Sequence, residues 1–384
     1  MASRGHNWID GALAEAAGSA WFELSTPGAR APLGRWPRSA DLDLEIALEA
    51  ARLAEPAWLR LGLAERHERL SRAADRLLDA PDPEGTARRA LGFERDELER
   101  HLLGLDAAVA EGLTSGGPLA RGPLGARDGP CLLAPVWSSG WHAPARAILF
   151  ALRAGRPVIL APDGRLPCAG DALRDAFAEL PRGVFQVLHD DGRTLVRAAT
   201  RRPDLPTAVV SAERLDADFT GASHVEIARP RRVTAVVDPA LELDGQIARI
   251  LDAAIGRARA LSGSRSGQVG RLITPERAFS RVGEIVLERL AASSEAERPL
   301  PIAAQAQASA LEAALALGLD EGATAVLTGS EDERGLFPVV FTNVEPAMRV
   351  ARLGTPCGLL LLLRAVDLRS AHSAAGRLDQ EVRS

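Results

Sequence analysis

The chain reads as an α/β protein with a parallel sheet, and three observations predict it. From residue 130, the apolar segments "PCLLAPV", "PVILAP", "GVFQVL" and "TAVVSA" are separated by the helical segments "HAPARAILFALRAG", "CAGDALRDAFAEL" and "GRTLVRAAT". Those apolar segments are continuous rather than alternating, as strands covered on both faces must be. A third strand group, "RRVTAVVD", follows, and the segments after it repeat the strand–helix theme in a chain long enough for two domains.

Taken in order, "NWIDGALAEAAGSAWFELSTP" predicts short strands around a Gly-containing turn. "SADLDLEIALEAARLAEPAW" predicts a helix, with Ser39 as its N-cap and Asp41 and Asp43 at its positive end. In "GLAERHERLSRAADRLLDA", Leu63, His67, Leu70, Ala74 and Leu77 share one helical face, so His67 reads as a packing residue rather than a ligand. Gly155 is placed to close the helix that follows the first core strand. Beyond the helix "LELDGQIARILDAAIGRARAL" come strand "GQVGRLIT", helices "ERAFSRVGEIVLERLAAS" and "AAQAQASALEAALALG", then "ATAVLTG", "LFPVVFTN" and "GLLLLLRAV". The domain boundary is expected near residue 240, giving units 1–240 and 241–384. "SSEAERPLPI" reads as a connecting loop and "RLDQEVRS" as a frayed end.

Composition removes several function classes. The net charge of -5 mixes both signs along the chain, with no basic stripe, so no nucleic-acid partner is expected. The apolar run "GLLLLLRAV" is far shorter than a bilayer requires, and no membrane association is expected. "MASRGHNWIDG" lacks an apolar run after Arg4 and does not read as a secretory signal. Cys131, Cys168 and Cys357 show no metal-like spacing, and an odd number of thiols fits a reducing cytoplasm. No metal site is expected. All 46 basic residues are Arg and Tyr is absent. Schiff-base lysine chemistry, a Walker-type phosphate lysine and a Tyr/Lys dehydrogenase site are therefore excluded.

Four passages carry a resemblance to a known family. They are "FELSTPGARAPLGRWPRSADLDLEIALEAARLAEPAW", "CLLAPVWSSGWHAPARAILFALRAGRPVILAPDG", "LPRGVFQVLHDDG" and "EGATAVLTGSEDERGLFPVVFTNVEPAMRVAR". In order and spacing they resemble the aldehyde dehydrogenase superfamily, with Trp58 closing the first helix. The resemblance implies a Rossmann-type parallel-sheet domain followed by a second α/β domain, here shortened at its C-terminal end. It also implies attack on an aldehyde by a cysteine thiolate, hydride transfer to NAD(P), and thioester hydrolysis assisted by a glutamate.

The positions that would carry that chemistry are degenerate here. Counting back from Arg271, the nucleophile position falls on Ser266, whose hydroxyl is hardly ionised at neutral pH and has no His nearby in sequence. The oxyanion Asn expected after Trp137 is Ser138, and the ribose-binding Lys expected after "PVIL" is Ala161. The glutamate expected after "MRVAR" is replaced by Leu353-Gly354. Spacing puts the phosphate turn at 209–213, around Ser211, without its glycine; "FTGA" at 219–222 matches the family literally but lies out of register. Glu226 falls at the general-base position, with Ala228-Arg229 in place of the following glycine pair.

Loss of one oxyanion donor alone costs on the order of 10²–10³ in rate. The sequence therefore predicts a pseudoenzyme with no catalytic or cofactor-binding residues and no cofactor. It is expected to pair with itself or with a catalytically intact relative, as a structural or regulatory subunit. Two alternatives stay open. One is an active NAD(P)-dependent aldehyde dehydrogenase with a rearranged site, for which Cys168 at a helix N-terminus is the candidate thiol. The other is a hydrolase using Ser266 with Glu226, although Ser264 and Arg265 look like an ordinary helix-to-strand turn. Arg229, Arg231 and Arg232 read either as an anion site at the cleft edge or as a solvated charge cluster.

Overall fold

The computed structural model describes residues 3–25, 32–80, 85, 102, 104–114, 129–137, 141–192, 194–211, 225–228, 232–260, 268–296, 305–327, 331–332, 335–336, 339–353 and 359–381. It divides into two units, Met1–Ala228 and Arg229–Ser384.

The first unit opens with β1 (Ser3–Arg4), β2 (Asn7–Ile9) and β3 (Ala12–Ala14). β2 and β3 form a hairpin through Asp10 and Gly11, whose φ angles of 49° and 74° lie in the left-handed region that a two-residue hairpin turn demands. A second hairpin joins β4 (Trp21–Leu24) to β5 (Gly34–Pro37), and β1 adds to β5 in parallel. Two helices follow, α1 (Asp41–Arg60) and α2 (Leu63–Asp79), then α3 (Leu105–Leu113). The core alternation comes next as β6 (Cys131–Ala134), α4 (His142–Arg153), β7 (Val158–Leu160), α5 (Pro167–Phe177) and β8 (Phe185–Val187). It closes with α6 (Thr194–Thr200), β9 (Thr207–Ser211) and β10 (Val225–Ala228).

The sheet order is β10-β9-β6-β7-β8-β2-β3. β10 to β8 run parallel, whereas β2 joins β8, and β3 joins β2, antiparallel. The chain steps outward from β6 through β7 to β8 and then returns to lay β9 on the other side of β6. This reversal is the topological switch point at which such sheets place ligands, outside the strands' carboxyl ends. All four side chains of β6 are buried, as are those of β7 and β8, which explains the unbroken apolar sequences of β6 and β7; in β8 the buried Gln186 donates to the Ala47 carbonyl at 2.7 Å. Gly155, at φ 96°, ends α4 as expected.

Two expectations for the helices fail on packing grounds. Ser39 does not cap α1: its fully buried hydroxyl is bonded to the Asn7 side chain, and the N-cap is Ala40. Asp43 reaches back to the Ala40 N–H at 2.9 Å and supplies the missing cap from inside the helix. In α2 the buried residues are Leu70, Ala73, Ala74 and Leu77, whereas Leu63 and His67 are exposed. The first turn of α2 extends past the surface it packs on. Arg66 instead secures that turn by bonding the carbonyls of Leu61, Leu59 and Arg153.

The second unit contains β11 (Arg232–Val236), α7 (Leu243–Ala260), β12 (Gln268–Pro275), α8 (Glu276–Ala296), α9 (Gln305–Asp320) and β13 (Thr324–Leu327). A small hairpin of β14 (Glu331–Asp332) and β15 (Gly335–Leu336) precedes β16 (Val339–Val344), α10 (Arg349–Arg352), β17 (Leu359–Ala365) and α11 (Leu368–Glu381). The sheet order is β11-β12-β17-β16-β13, parallel except for β13. β17 shows why its sequence is an unbroken leucine run. Leu361 and Leu363 pack with α9 and α11 through Leu311, Ala371 and Leu378, whereas Leu360 and Leu362 pack with α7 and α8 through Ile247, Leu251 and Val282.

β11 pairs along β12, so it belongs to the second unit, and the division falls at Ala228/Arg229 rather than near 240. The expected frayed end is also corrected. α11 runs to Glu381, buries Leu378 and places Asp379 against Arg271. α8 likewise continues to Ala296, into the segment expected to be a loop. Among the described residues no helix is long and apolar enough to cross a membrane.

Candidate functional site

The carboxyl ends of β6 and β7 form the part of the ligand rim that the structure describes most fully. β6 leads into Pro135, Val136 and Trp137; β7 leads into Ala161, Pro162, Asp163, Gly164 and Arg165. Ala161 is fully buried, and its N–H donates to the Leu133 carbonyl at 2.8 Å, prolonging the β6–β7 ladder. Its methyl group supplies neither charge nor hydrogen-bonding capacity where the resemblance expects a cation.

Two residues on, Asp163 is 4% exposed and accepts from both loops. The Trp137 N–H donates to Oδ2 at 3.0 Å, and the Arg165 N–H to Oδ1 at 3.0 Å. The Arg165 guanidinium clasps the same carboxylate through Nε (3.0 Å) and Nη2 (2.7 Å). It also lies over the Trp137 ring, 5.8 Å from the centroid, within cation–π range. The space beneath is walled by apolar groups including Val136, Pro144, Leu160, Leu166 and Leu173. The cavity is about 10 Å³, room for one water molecule. Small-molecule sites are commonly of order 300–1,000 Å³. These residues do not fit a dinucleotide at this end of the rim.

The next rim loop is equally committed. Asp190, fully buried, accepts the N–H groups of Gly192 (3.0 Å) and Leu195 (2.8 Å) and so caps α6. Behind it, Asp171 of α5 accepts from the Trp36 indole (2.6 Å) and Arg174 (2.8 Å). The buried His189 imidazole stands 3.4 Å from Asp171. Burial acts to raise the Asp171 carboxyl, but His189, Arg174 and the Trp36 donor outweigh it and hold the group below its ordinary range.

The sequence-derived positions are only partly brought together. Glu226 lies within β10, the edge strand, opposite Val209 of β9. Ser211 ends β9. Ser138, Ser266 and Gly354 lie outside the described residues, as do 212–213, 219–222, Ser264, Arg265, Arg229, Arg231 and Cys357. Arg232 begins β11. Cys168 is buried in the first turn of α5. Cys131 is buried within β6, and burial pushes its thiol up to about 11 against the pull of Arg156, leaving little thiolate at neutral pH. Among the described residues no group of His, Cys, Asp and Glu could hold a metal. Asp163 and Arg165 were missed; the signal available was the Asp-Gly-Arg turn after "PVIL", where an Asx turn presents a carboxylate to its own backbone.

The comparisons agree with this architecture. The aldehyde dehydrogenase family model matches residues 128–375. Acetaldehyde dehydrogenase 2 of Cupriavidus necator is 29% identical, over 85% of this chain and 69% of its own length. An NAD-dependent aldehyde dehydrogenase from Sinorhizobium meliloti superposes with a TM-score of 0.77 at 20% identity, covering 97% of this chain and 80% of that one. The NADP-dependent glyceraldehyde-3-phosphate dehydrogenase of Bacillus halodurans, solved with NADP, gives 0.77 at 18% identity over 97% and 83%. Two α/β units in the family's order, and a family match across both, make this chain a member of the aldehyde dehydrogenase family.

Proposed function

We propose that this chain is a pseudoenzyme of the family, which keeps the fold without the dehydrogenase reaction and acts through protein–protein association in the cytoplasm. The observation that carries the reading is the rim. Where a nucleotide's sugar and phosphates call for a cation and open donors, Ala161 is apolar, and Arg165 is engaged by the Asp163 carboxylate. The Cys131 thiol adds to it, since burial keeps it protonated near neutral pH, and the sequence offers a serine, Ser266, where the family resemblance expects a thiol. Its partner is a second copy or a catalytically intact relative, for which it serves as a structural or regulatory subunit.

The names of the relatives favour a second reading, an active NAD(P)-dependent aldehyde dehydrogenase with a rearranged site. Aldehyde-dependent NAD(P)H formation by the purified chain separates the two. A broad aldehyde panel with both cofactors is expected to give no rate above buffer. Turnover that thiol alkylation abolishes would establish the second reading. Static light scattering and co-purification with an intact family member test the association.

A further inference from the structure

We infer that the carboxyl rim of the first unit's sheet is a self-saturated brace, and that the chain binds no nicotinamide dinucleotide. The inference deepens the non-catalytic reading, on which it rests for its biological sense, but it has its own observable.

A carboxylate offers about four acceptor positions. At Asp163 all four are used: Oδ1 takes the Arg165 N–H and Nε, and Oδ2 takes the Trp137 N–H and Arg165 Nη2. A ribose hydroxyl could reach this acid only by displacing a donor from a group that is 4% exposed. Displacing the Trp137 N–H would orphan a buried backbone donor, which is costly without a substitute partner.

The brace extends to the third loop by backbone contact. A Cβ at Gly164 would stand 2.8 Å from the Asp190 carbonyl oxygen and 2.9 Å from the Asp191 carbonyl carbon. The loops after β7 and β8 therefore abut with no room for a side chain between them. Asp190 in turn spends one oxygen on the Gly192 N–H in its own loop and the other on the Leu195 N–H in the first turn of α6. Three successive loops are thus joined by Trp137–Asp163, Asp163–Arg165, Gly164–Asp190 and Asp190–Leu195. A ligand-ready rim keeps its donors open for the ligand; among the described residues of these loops, the N–H groups of Trp137, Arg165, Gly192 and Leu195 and the Arg165 guanidinium are engaged by the protein's own carboxylates.

The test is isothermal titration of the full chain with NAD⁺, NADH, NADP⁺ and NADPH to millimolar concentration, alongside thermal melts of Asp163→Asn, Arg165→Ala and Arg165→Lys. The expected result is no saturable heat with any of the four. Asp163→Asn should melt about 5 °C lower, as loss of a buried charged hydrogen-bond centre implies for a unit of this size. Arg165→Lys, which keeps the charge but not the fork, should fall between wild type and Arg165→Ala, and it carries the test if Asp163→Asn does not fold. Saturable binding of any dinucleotide with Kd below about 1 mM would overturn the inference. So would melting temperatures unchanged in all three variants. Binding without aldehyde turnover would sink the inference alone. Cofactor-independent ester hydrolysis, labelled at Ser266 by a fluorophosphonate, would sink the non-catalytic reading alone.

Discussion

In the first unit Arg165 holds Asp163, two residues away, at the end of the sheet; in the second Arg271 holds Asp379, 108 residues away, in the body of it. The two pairs are mirror images in burial. Asp163 is hidden and Arg165 partly exposed, whereas Arg271 is fully buried and Asp379 about one-third exposed. Arg271 also donates Nε to Thr234 Oγ1 (3.0 Å) and Nη1 to the Ala351 carbonyl (2.8 Å), and Thr234 donates its hydroxyl to Asp379 (2.8 Å). One guanidinium thereby links β12 to β11, the end of α10 and α11. The local pair shapes a loop; the long-range pair ties together elements that the chain alone does not keep near each other. The family position used to locate the nucleophile thus belongs to the scaffold.

The largest effect should come from breaking the long-range pair. Arg271→Met should cost about 3 kcal/mol of unfolding free energy, from orphaning the Ala351 carbonyl and the Thr234–Asp379 pair; solvent access to Asp379 keeps it from being larger. Urea unfolding checks it, and a loss under about 1 kcal/mol would erase the contrast drawn between the pairs. Asp163→Asn should cost about 2 kcal/mol and change Trp137 fluorescence, because the loss stays at the rim. Equal costs for both variants would mean that sequence separation does not matter here.

Acid should sharpen the picture further. The folded Asp171 carboxyl titrates below its unfolded value, so its contribution is present above the ordinary carboxylate range and is lost as pH falls through the folded pKa. Asp171→Asn should flatten that acid limb, as read from urea midpoints between about pH 5 and 2. At the other end of the scale, Cys131 gives stability that is present below its ordinary value near 9 and lost as pH rises towards about 11. In native protein at pH 7.5 it should resist iodoacetamide, followed by peptide mass spectrometry, and react only after unfolding. The smallest effect belongs to Glu276→Gln, which breaks an exposed pair with Arg364 and should shift stability by less than about 0.5 kcal/mol.

Much of the fold was legible because burial on both faces leaves an unmistakable pattern. The strands β6 to β9 and β17 each fall where a continuous apolar run predicts them. Boundaries were less legible where a distant partner decides them. Nothing near Asp379 announces that Arg271 will hold α11 in place, and so the segment "RLDQE" reads as a frayed end until the two meet. His67 fits a helical face by spacing, yet that face has nothing to pack on at its first turn. At the site, Ala161 was readable as a lost cation from its place after "PVIL". The closure by Asp163 and Arg165 was not, since an Asp-Gly-Arg turn looks the same whether its carboxylate faces water or two converging loops.

By itself the sequence determined the α/β class and the order of strands along the chain, because both depend on residue type and local periodicity, and its resemblance to known passages pointed to the family. Tertiary structure alone decided that the units divide at Ala228/Arg229, that Asp43 rather than Ser39 caps α1, and that Arg271 is a strut. It also decided that the rim's charges are spent on one another. Those outcomes depend on which groups meet across long stretches of chain, and a carboxylate's role is set by the donors that reach it.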